Sequence, residues 1–549
     1  MHNDERIDGA LYAQMLRGGT EVLGQHAKEV DDLNVFPIPD GDTGENMLLT
    51  IKGGASDEKV SDLSHAAKNV ADGMLMSARG NSGVILSQFF EGISHGFENV
   101  KEADEKCLEK AFRTGVEYAY NAVVNPTEGT ILTVIREATE FASRRDPKTP
   151  KEFLAAFLDE AKKSLERTPE LLPVLKKAGV VDSGGAGIVY IAEGMKRALS
   201  GEEFDITEAQ EKKSAVDYSA FDEDSVLEYG YCTELLLRLQ NAKTDIAAFS
   251  GDAFTDQLKA LGDSVVTVVR GSIVKVHVHT KTPSEVLSFC QRYGEFLNVK
   301  IENMSLQHNS RLTDEIAETG YTRTSNDERR RIATVSVASG EGIISAFREM
   351  GADEVIDGGR ALNPSVEDFI KAFDTVNADA VIVFPNNGNS VMTAKQAAEM
   401  YTSSKILVVE SKSIGEGYAA LSMLDTELGE PEDIADACRE AMADVQVAQI
   451  SRCIKDTEMD GYKLSVGDYL AIRGKSVLAA RDTVTDTFSD ALDSFGLDER
   501  EIMIMIRGRD LSDEDAEKML SLVNQRYPRA EVYDINGGQD IYDCIIIVQ

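Results

Sequence analysis

Leu33-Asn34-Val35-Phe36-Pro37-Ile38-Pro39-Asp40-Gly41-Asp42-Thr43-Gly44-Glu45-Asn46-Met47 sets two carboxylates around one glycine, behind a proline-stiffened lead-in and ahead of a helix. Asp40 and Asp42 stand two apart in an extended turn, so both lean toward one point. Gly41 removes the side chain that would block their approach. Oxygen-only ligands at this spacing suit a hard cation such as Mg²⁺, which keeps water and takes the rest of its shell from substrate phosphates. Taken alone, the D-G-D triplet reads as an acidic surface turn, since Asp and Gly are ordinary turn residues. The rest of the chain tips the reading the other way.

The chain has 549 residues, 95 acidic against 57 basic, and a net charge of −38. At ~150 residues per domain this predicts about three or four domains. A field of that sign repels nucleic acid and anionic lipid surfaces, so any lipid-related role needs a carrier protein rather than direct membrane insertion. No apolar run approaches the ~20 residues of a membrane span. Met1-His2-Asn3-Asp4-Glu5 has neither a basic n-region nor an apolar stretch, so no secretory signal is expected. Cys107, Cys232, Cys290, Cys438, Cys453 and Cys544 are scattered without paired spacing, which reads as reduced thiols in a cytoplasmic protein.

From Ile7 to about Leu199 the apolar period is helical. Leu11, Met15, Val22 and Leu23 recur at helix spacing, as do Ala111, Phe112, Val116, Ala119 and Ala122. This predicts an all-α domain over 1–200. An acidic, polar linker follows over 201–225. Residues 226–310 read as a compact α+β unit. Its strands lie near Glu228–Leu237, Ser264–Val269 and Ile273–His279, with helices at Asp252–Leu261 and Pro283–Gly294. That order resembles a ferredoxin-like β-α-β-β-α-β arrangement. A second polar linker covers 311–330. Residues 331–549 then read as two α/β lobes, opening with the apolar strand Ile332–Ala338 and the helix Gly342–Met350 and closing with the strand Tyr542–Val548.

Three further motifs fall in the helical part. Gly73-Met74-Leu75-Met76-Ser77-Ala78-Arg79-Gly80-Asn81-Ser82-Gly83-Val84 clusters small residues ahead of a helix expected at Val84–Phe90. Backbone N–H groups at such a helix start bind phosphate oxygens, and glycines let the phosphate come close. Ser82 adds a hydroxyl and Arg79 a fixed positive charge. Tight packing of small residues accounts for the motif equally well, and the Lys-Ser/Thr of a Walker A loop is missing. Gly129-Thr130-Ile131-Leu132 opens a helix that runs to Ala142. Asp182-Ser183-Gly184-Gly185-Ala186-Gly187 opens one expected at Ile188–Leu199. Each could be plain helix capping. Four polar or glycine-rich helix starts in one all-α domain fit a site lined by loops at one end of a helix barrel.

The set D-G-D-T-G-x-N, S-A-R-G-N-S-G, G-T-I and D-S-G-G-x-G resembles the nucleotide-binding L domain of dihydroxyacetone kinases. It is closer still to the catalytic subunit of bacterial fatty acid kinases, whose loop also reads L-N-V-F-P-x-P-D-G-D-T-G, and the resemblance runs over the whole chain. It implies an eight-helix barrel holding ATP and Mg²⁺, two ions in all, with Asp40 and Asp42 as metal ligands. The Ser77–Gly83 segment, with Ser77, Gly80, Asn81, Ser82 and Gly83, would cradle phosphates, and Thr43, Asn46, Thr130 and Asp182 would line the site. Dihydroxyacetone kinases carry a third Asp upstream of the pair; the nearest equivalent here is Asn34, one residue further away.

The chemistry narrows the acceptor, and a carboxylate fits. A hydroxyl acceptor needs a base or a covalent trap, yet His26, His65 and His95 lie on helical stretches far from the motifs and His2 at the terminus, so all four read as structural or surface residues. A carboxylate is already ionised at pH 7, with an ordinary pKa of ~4 to 5. It needs charge neutralisation and alignment, which metal ions and Arg79 supply.

In Ile273-Val274-Lys275-Val276-His277-Val278-His279 the two histidines share one strand face and valines the other. Cys232 lies on the first strand of the same unit, a neighbour of that strand in a ferredoxin-like sheet. One thiolate and two imidazoles suit Zn²⁺, with His308 as a candidate fourth ligand; the alternative is a half-exposed strand with a polar outer face. The fatty acid kinase resemblance also implies zinc here, and a homodimer formed through this unit.

The last segment resembles the DegV-like fatty acid-binding proteins. Val355-Ile356-Asp357-Gly358-Gly359 ahead of Asn363-Pro364-Ser365 matches their loop that grips an acyl carboxylate. Pro385-Asn386-Asn387-Gly388-Asn389 departs from their Ser and Gly-Thr, so this half is expected to dock a separate lipid-loaded DegV-like binder. The expected activity is ATP-dependent phosphorylation of a fatty acid carboxylate to an acyl phosphate for phospholipid synthesis. A dihydroxyacetone-type small-molecule kinase and a non-catalytic lipid-binding or regulatory protein are the competing readings.

Overall fold

The computed structural model describes residues 6–34, 41–55, 60–202, 204, 231–303 and 329–549, except 242, 245–248, 250, 260, 262, 271, 272, 425, 427, 428 and 498–501. Asp40 and His308 lie outside the described residues, as do most of the two expected linkers and the side chains of Cys232, His277 and His279. Residues Met1–Ile206 and Arg323–Gln549 pack as one compact unit, and Thr207–Thr322 form another.

Nine helices occur among the described residues of the N-terminal part: α1 (Gly9–Asp32), α2 (Thr43–Gly54), α3 (Leu63–Met76), α4 (Gly80–Gly96), α5 (Glu105–Asn121), α6 (Ile131–Arg144), α7 (Pro150–Leu171), α8 (Pro173–Ala178) and α9 (Ser183–Leu199). Asp8, Asp62, Asp104, Thr149 and Asp182 cap five of them, each side chain accepting a first-turn N–H. Successive helices pack on one another from α1 to α7, the short α8 packs on α7, and α9 packs on α7 and returns to α1, closing a ring. Inside it Tyr12, Phe90, Phe97, Phe112, Phe153 and Phe157 are buried, with Tyr12 and Phe97 edge to face at 5.8 Å. The ring closes where Gly18 of α1 meets Gly194 of α9: a Cβ on Gly194 would lie 1.9 Å from the Gly18 carbonyl oxygen.

The smaller unit runs β1 (Tyr231–Leu239), α10 (Gly251–Leu258), β2 (Asp263–Arg270), β3 (Ile273–Thr280), α11 (Pro283–Cys290), β4 (Gly294–Asn303). Its sheet order is β2-β3-β1-β4, all antiparallel. Val274, Val276 and Val278 are buried with Leu235 and Leu237 against Phe254 and Phe289. The second helix stops at Cys290, four residues short of the expected Gly294, because Gly294 begins β4.

Among the described residues the C-terminal part has two large sheets and a separate two-stranded hairpin. The first is parallel, ordered β6-β5-β7-β8, from β5 (Arg330–Ala338), α12 (Glu341–Glu349), β6 (Glu354–Asp357), α13 (Val366–Val376), β7 (Ala378–Phe384), α14 (Ser390–Met400) and β8 (Lys405–Val408). Residues 332–338 of β5 are all buried, which is why they read as a mostly apolar strand broken only by the small polar residues Thr334 and Ser336. After α15 (Ile414–Ser422) and α16 (Pro431–Asp444) come β9 (Gln446–Arg452), the hairpin β10 (Thr457–Met459) and β11 (Tyr462–Leu464), β12 (Tyr469–Arg473), β13 (Ser476–Arg481), α17 (Val484–Leu492), β14 (Ile502–Arg507), α18 (Asp513–Arg526), β15 (Glu531–Asn536) and β16 (Cys544–Val548). The second sheet is mixed, ordered β13-β12-β9-β16-β14-β15. Ala78 and Val84 of the helical part belong to the hydrophobic cluster beneath β5, β7 and α13. The helical and C-terminal parts thus share buried surface beside the small-residue motif. No described helix is long and apolar enough to cross a membrane.

Candidate active site

Four helix starts meet at one end of the ring. The α2 start touches α4 through Asn46, whose Nδ2 would lie 2.6 Å from a Cβ on Gly80. It touches α9 where Ser183 Oγ donates to Thr43 Oγ1 at 3.3 Å. The α9 start touches α6 because the Asp182 carboxylate accepts from Gly185 N at 2.7 Å and also from the Ile131 N–H. Thr43, Asn46, Gly80 and Asp182 are therefore brought together, although Thr43 and Ser183 stand 140 residues apart in the chain. Each helix start carries about half a positive charge, so their convergence favours an anion.

Two helices begin earlier than the sequence suggested. α4 starts at Gly80 rather than Val84, and α9 at Ser183 rather than Ile188. Asn81, Ser82 and Gly83 are thus the first turn of α4, not a loop. Gly80 has φ +59°, a conformation that glycine adopts freely. No side chain caps α4 at its N-cap, Arg79, and none caps α6 at Thr130, whose hydroxyl donates to the Thr127 carbonyl at 2.7 Å. The start of α4 therefore has no side-chain cap of its own. Asn81 Oδ1 is buried without a partner, an acceptor oriented for a donor. Ser77 is placed elsewhere. It ends α3 and packs on Gly53, roughly 16 Å along α2 from Asp42 at 1.5 Å per residue.

Asp42 is buried at the N-cap of α2, and its Oδ2 accepts from Asn363 Nδ2 of the C-terminal part. The cap itself comes from Asp31 at the end of α1, a residue that no sequence motif marks. Its Oδ1 accepts from Gly44 N at 2.6 Å and Glu45 N at 3.4 Å. Burial, with help from Glu45 and Asp32, pushes Asp31 up to about 6 against the pull of those two N–H groups. Asn34 sits beside Gly41, and its carbonyl accepts from Lys455 Nζ. The available donors are oxygens, and they fit a hard cation. Among the described residues no group of three His, Cys, Asp or Glu side chains is placed to hold a metal ion.

Arg79 is engaged by the C-terminal part. Its Nη1 donates to the Asn363 carbonyl at 3.1 Å, and its Nη2 lies 3.6 Å from Asp368 Oδ2. His26 stacks on Tyr190 and bonds Glu29 at 2.9 Å, and His95 pairs with Glu91 at 3.3 Å, both on the surface. In the smaller unit the register sets Cys232 opposite His279, and Val266 and Glu234 opposite His277.

Residues 37–197 match the DAK2 domain, 228–311 the middle domain of FakA-like fatty acid kinases, and 333–549 the C-terminal domain of FakA-like fatty acid kinases. Protein YloV of Bacillus subtilis (strain 168) is 36% identical over 559 residues, 98% of this chain and 99% of that one. A relative from Staphylococcus haemolyticus (strain JCSC1435) is 36% identical over 555 residues, 99% of this chain and 100% of the other. The chain belongs to the FakA-like fatty acid kinase family. Its domains are those of a kinase family. Among solved structures, the dihydroxyacetone kinase from C. freundii in complex with AMP-PNP and Mg²⁺ is 20% identical, over 34% of each chain, with a TM-score of 0.29. A fatty acid-binding DegV family protein from Thermus thermophilus is 14% identical, over 40% of this chain and 99% of that one, with a TM-score of 0.31. The Streptococcus pneumoniae fatty acid kinase B3 protein loaded with linoleic acid is 10% identical over the same shares, with a TM-score of 0.27.

In this FakA-like chain the partly buried cap Asp182 is shifted upward: loss of solvent around its carboxyl pushes it up to about 6 against its two N–H donors. A carboxyl raised in the fold is ionised there at a cost that is absent below its unfolded pKa and complete above its folded one. Wild type should therefore lose up to about 3 kcal/mol relative to Asp182→Asn as pH rises from about 4 to 7. Paired denaturant unfolding across that range measures the difference, and a pH-independent difference would contradict the assignment.

Proposed function

We propose that the protein phosphorylates a fatty acid carboxylate with ATP, the acid being presented by a separate DegV-like fatty acid-binding protein, and that the acyl phosphate feeds phospholipid synthesis. The observation that carries the reading is the meeting of the α2, α4, α6 and α9 starts around buried Asp42, in a chain of a fatty acid kinase family. Asp40 and Asp42 would hold Mg²⁺, which would neutralise and align the phosphate oxygens, and Asp31 at the start of α2 adds a further carboxylate next to Asp42. The start of α4 receives phosphate oxygens on the backbone N–H groups of Gly80, Asn81 and Ser82, with Gly83, whose N–H donates to the Arg79 carbonyl, completing the turn and Arg79 as a fixed cation at the N-cap. Thr43, Asn46, Thr130 and Asp182 would line the same site.

A carboxylate oxygen bonds to the γ-phosphorus as that phosphorus parts from its bridging oxygen, and ADP leaves with the electron pair. No proton moves, so no base is required, which suits a helical part whose His26 and His95 are engaged at the surface. The chain's net charge of −38 disfavours direct contact with anionic lipid, consistent with a cytoplasmic enzyme served by a carrier. Incubation with ATP, Mg²⁺ and oleate, with and without a DegV-like binder, tests this by trapping acyl phosphate with hydroxylamine. Hydroxamate formed only with the binder is expected. Binder-independent turnover of a triose would favour the small-molecule kinase instead.

For the smaller unit we propose a ferredoxin-like fold, supported by its strand order, with Zn²⁺ held by Cys232, His277 and His279 and a role in forming a homodimer. The register opposing Cys232 to His279 supports this set. Cys232→Ala should lower bound zinc and weaken the dimer; unchanged zinc by elemental analysis would remove the assignment.

A further inference from the structure

The segment expected to grip an acyl carboxylate, Asn363-Pro364-Ser365, grips a carboxylate of this same chain. Asn363 is only 4% exposed, and its Nδ2 donates to Oδ2 of Asp42, itself 8% exposed. An ionised carboxylate only accepts, so the amide must turn its NH₂ toward Asp42 and its oxygen away. That oxygen faces Ser390 Oγ at 3.1 Å, at the fully buried start of α14. The same hydroxyl also lies against the Leu362 carbonyl and shares one proton between the two acceptors. The Asn363 backbone is held as well: its N–H donates to the Gly358 carbonyl at 3.0 Å and its carbonyl accepts from Arg79. Next to it, Asn81 Nδ2 of α4 donates to Asn389 Oδ1 at 3.3 Å. The kinase motifs of the helical part are thus bonded at Asp42, Arg79 and Asn81 by one patch of the C-terminal part.

We propose that Asn363 is a positioning residue of the phosphoryl-transfer site: held by Ser390, it orients the Asp42 carboxylate for metal, so that the C-terminal part completes the kinase site. This rests on the reading of Asp42 as a metal ligand. Groups that orient a ligand carboxylate are worth about 10- to 100-fold in metal affinity. Asn363→Ala keeps the backbone carbonyl that Arg79 uses and deletes only the amide.

The test is calorimetric binding of AMP-PNP to the full-length protein across a Mg²⁺ titration. In Asn363→Ala the Mg²⁺ concentration for half-maximal binding should rise about 10- to 100-fold, with binding restored at saturating Mg²⁺ and Mg²⁺-free nucleotide binding unchanged. A merely structural role would lower the melting temperature without moving the Mg²⁺ requirement. If Asn363→Ala does not fold, Ser390→Ala gives the same readout, with a smaller rise expected. In an Asp42→Asn background, Asn363→Ala should add nothing. A wild-type Mg²⁺ requirement in Asn363→Ala, with Asp42→Asn defective, overturns the role of Asn363 alone. Wild-type Mg²⁺-dependent binding in Asp42→Asn overturns the metal site beneath it.

Discussion

Replacing Asp42 by Asn is expected to lower ATP-dependent acyl phosphate formation about a thousandfold, about 4 kcal/mol of transition-state stabilisation, while leaving the fold intact. The fold survives because Asn at 42 keeps an oxygen to accept the Asn363 amide, and because Asp31, not Asp42, caps α2. What is lost is one negative charge from an oxygen donor set that a hard cation needs. Asp40→Asn should act alike through the same site. Steady-state kinetics with a circular dichroism spectrum of each variant is the check, and near-normal turnover in either would remove the site assignment.

Gly44→Ala should damage both stability and turnover. α1 and α2 approach so closely at Gly44 that a Cβ there would lie 2.1 Å from the Ala27 carbonyl oxygen. The obstacle is backbone, so no side-chain rotation relieves it. α2 must move off α1, and the Asp31 oxygen then loses its 2.6 Å bond from Gly44 N. Overpacking of this kind costs about 1–3 kcal/mol, read as a lower denaturant midpoint. Because Asp42 rides on the same helix start, turnover should fall about a hundredfold, on the scale of a misplacement of about 1 Å. Wild-type stability in this variant would contradict the close approach of α1 and α2.

Part of this site was legible locally. Asp42, Thr43 and Asn46 stand within five residues, and Gly80 and Asp182 were marked by their glycine-rich or capping surroundings. The starts of α4 and α9 were read late, because Gly, Asn and Ser carry no apolar period. The glycines among them are nevertheless buried within the helices: Gly187 leaves room for Met47, whose Cε would lie 2.6 Å from a Cβ. Asp31 sits on the preceding helix and reaches α2 across a turn, so no spacing rule pairs it with Asp42. Asn363 lies 321 residues from its partner, beyond any local pattern. Arg79 illustrates the same limit, since its charge was evident and its orientation toward Asn363 and Asp368 was not.

In the C-terminal part, the doubly buried strands β5 and β7 stood out as mostly apolar strands. β15 did not. It lies at a sheet edge, and its residues Glu531, Tyr533, Asp534 and Asn536 are exposed or partly exposed, so its alternation is weak. The four-residue β6 is too short for any period to register.

The measurement that bears most directly on the central claim follows oxygen. Oleate labelled with oxygen-18 in its carboxyl group is loaded on a DegV-like binder and incubated with the protein, ATP and Mg²⁺, and the product is cleaved with hydroxylamine. Hydroxylamine attacks the acyl carbon, so the bridging oxygen leaves with phosphate. Phosphate carrying one oxygen-18 atom is predicted, in proportion to hydroxamate formed and absent in Asp42→Asn. Phosphate without label would contradict transfer to the fatty acid carboxylate.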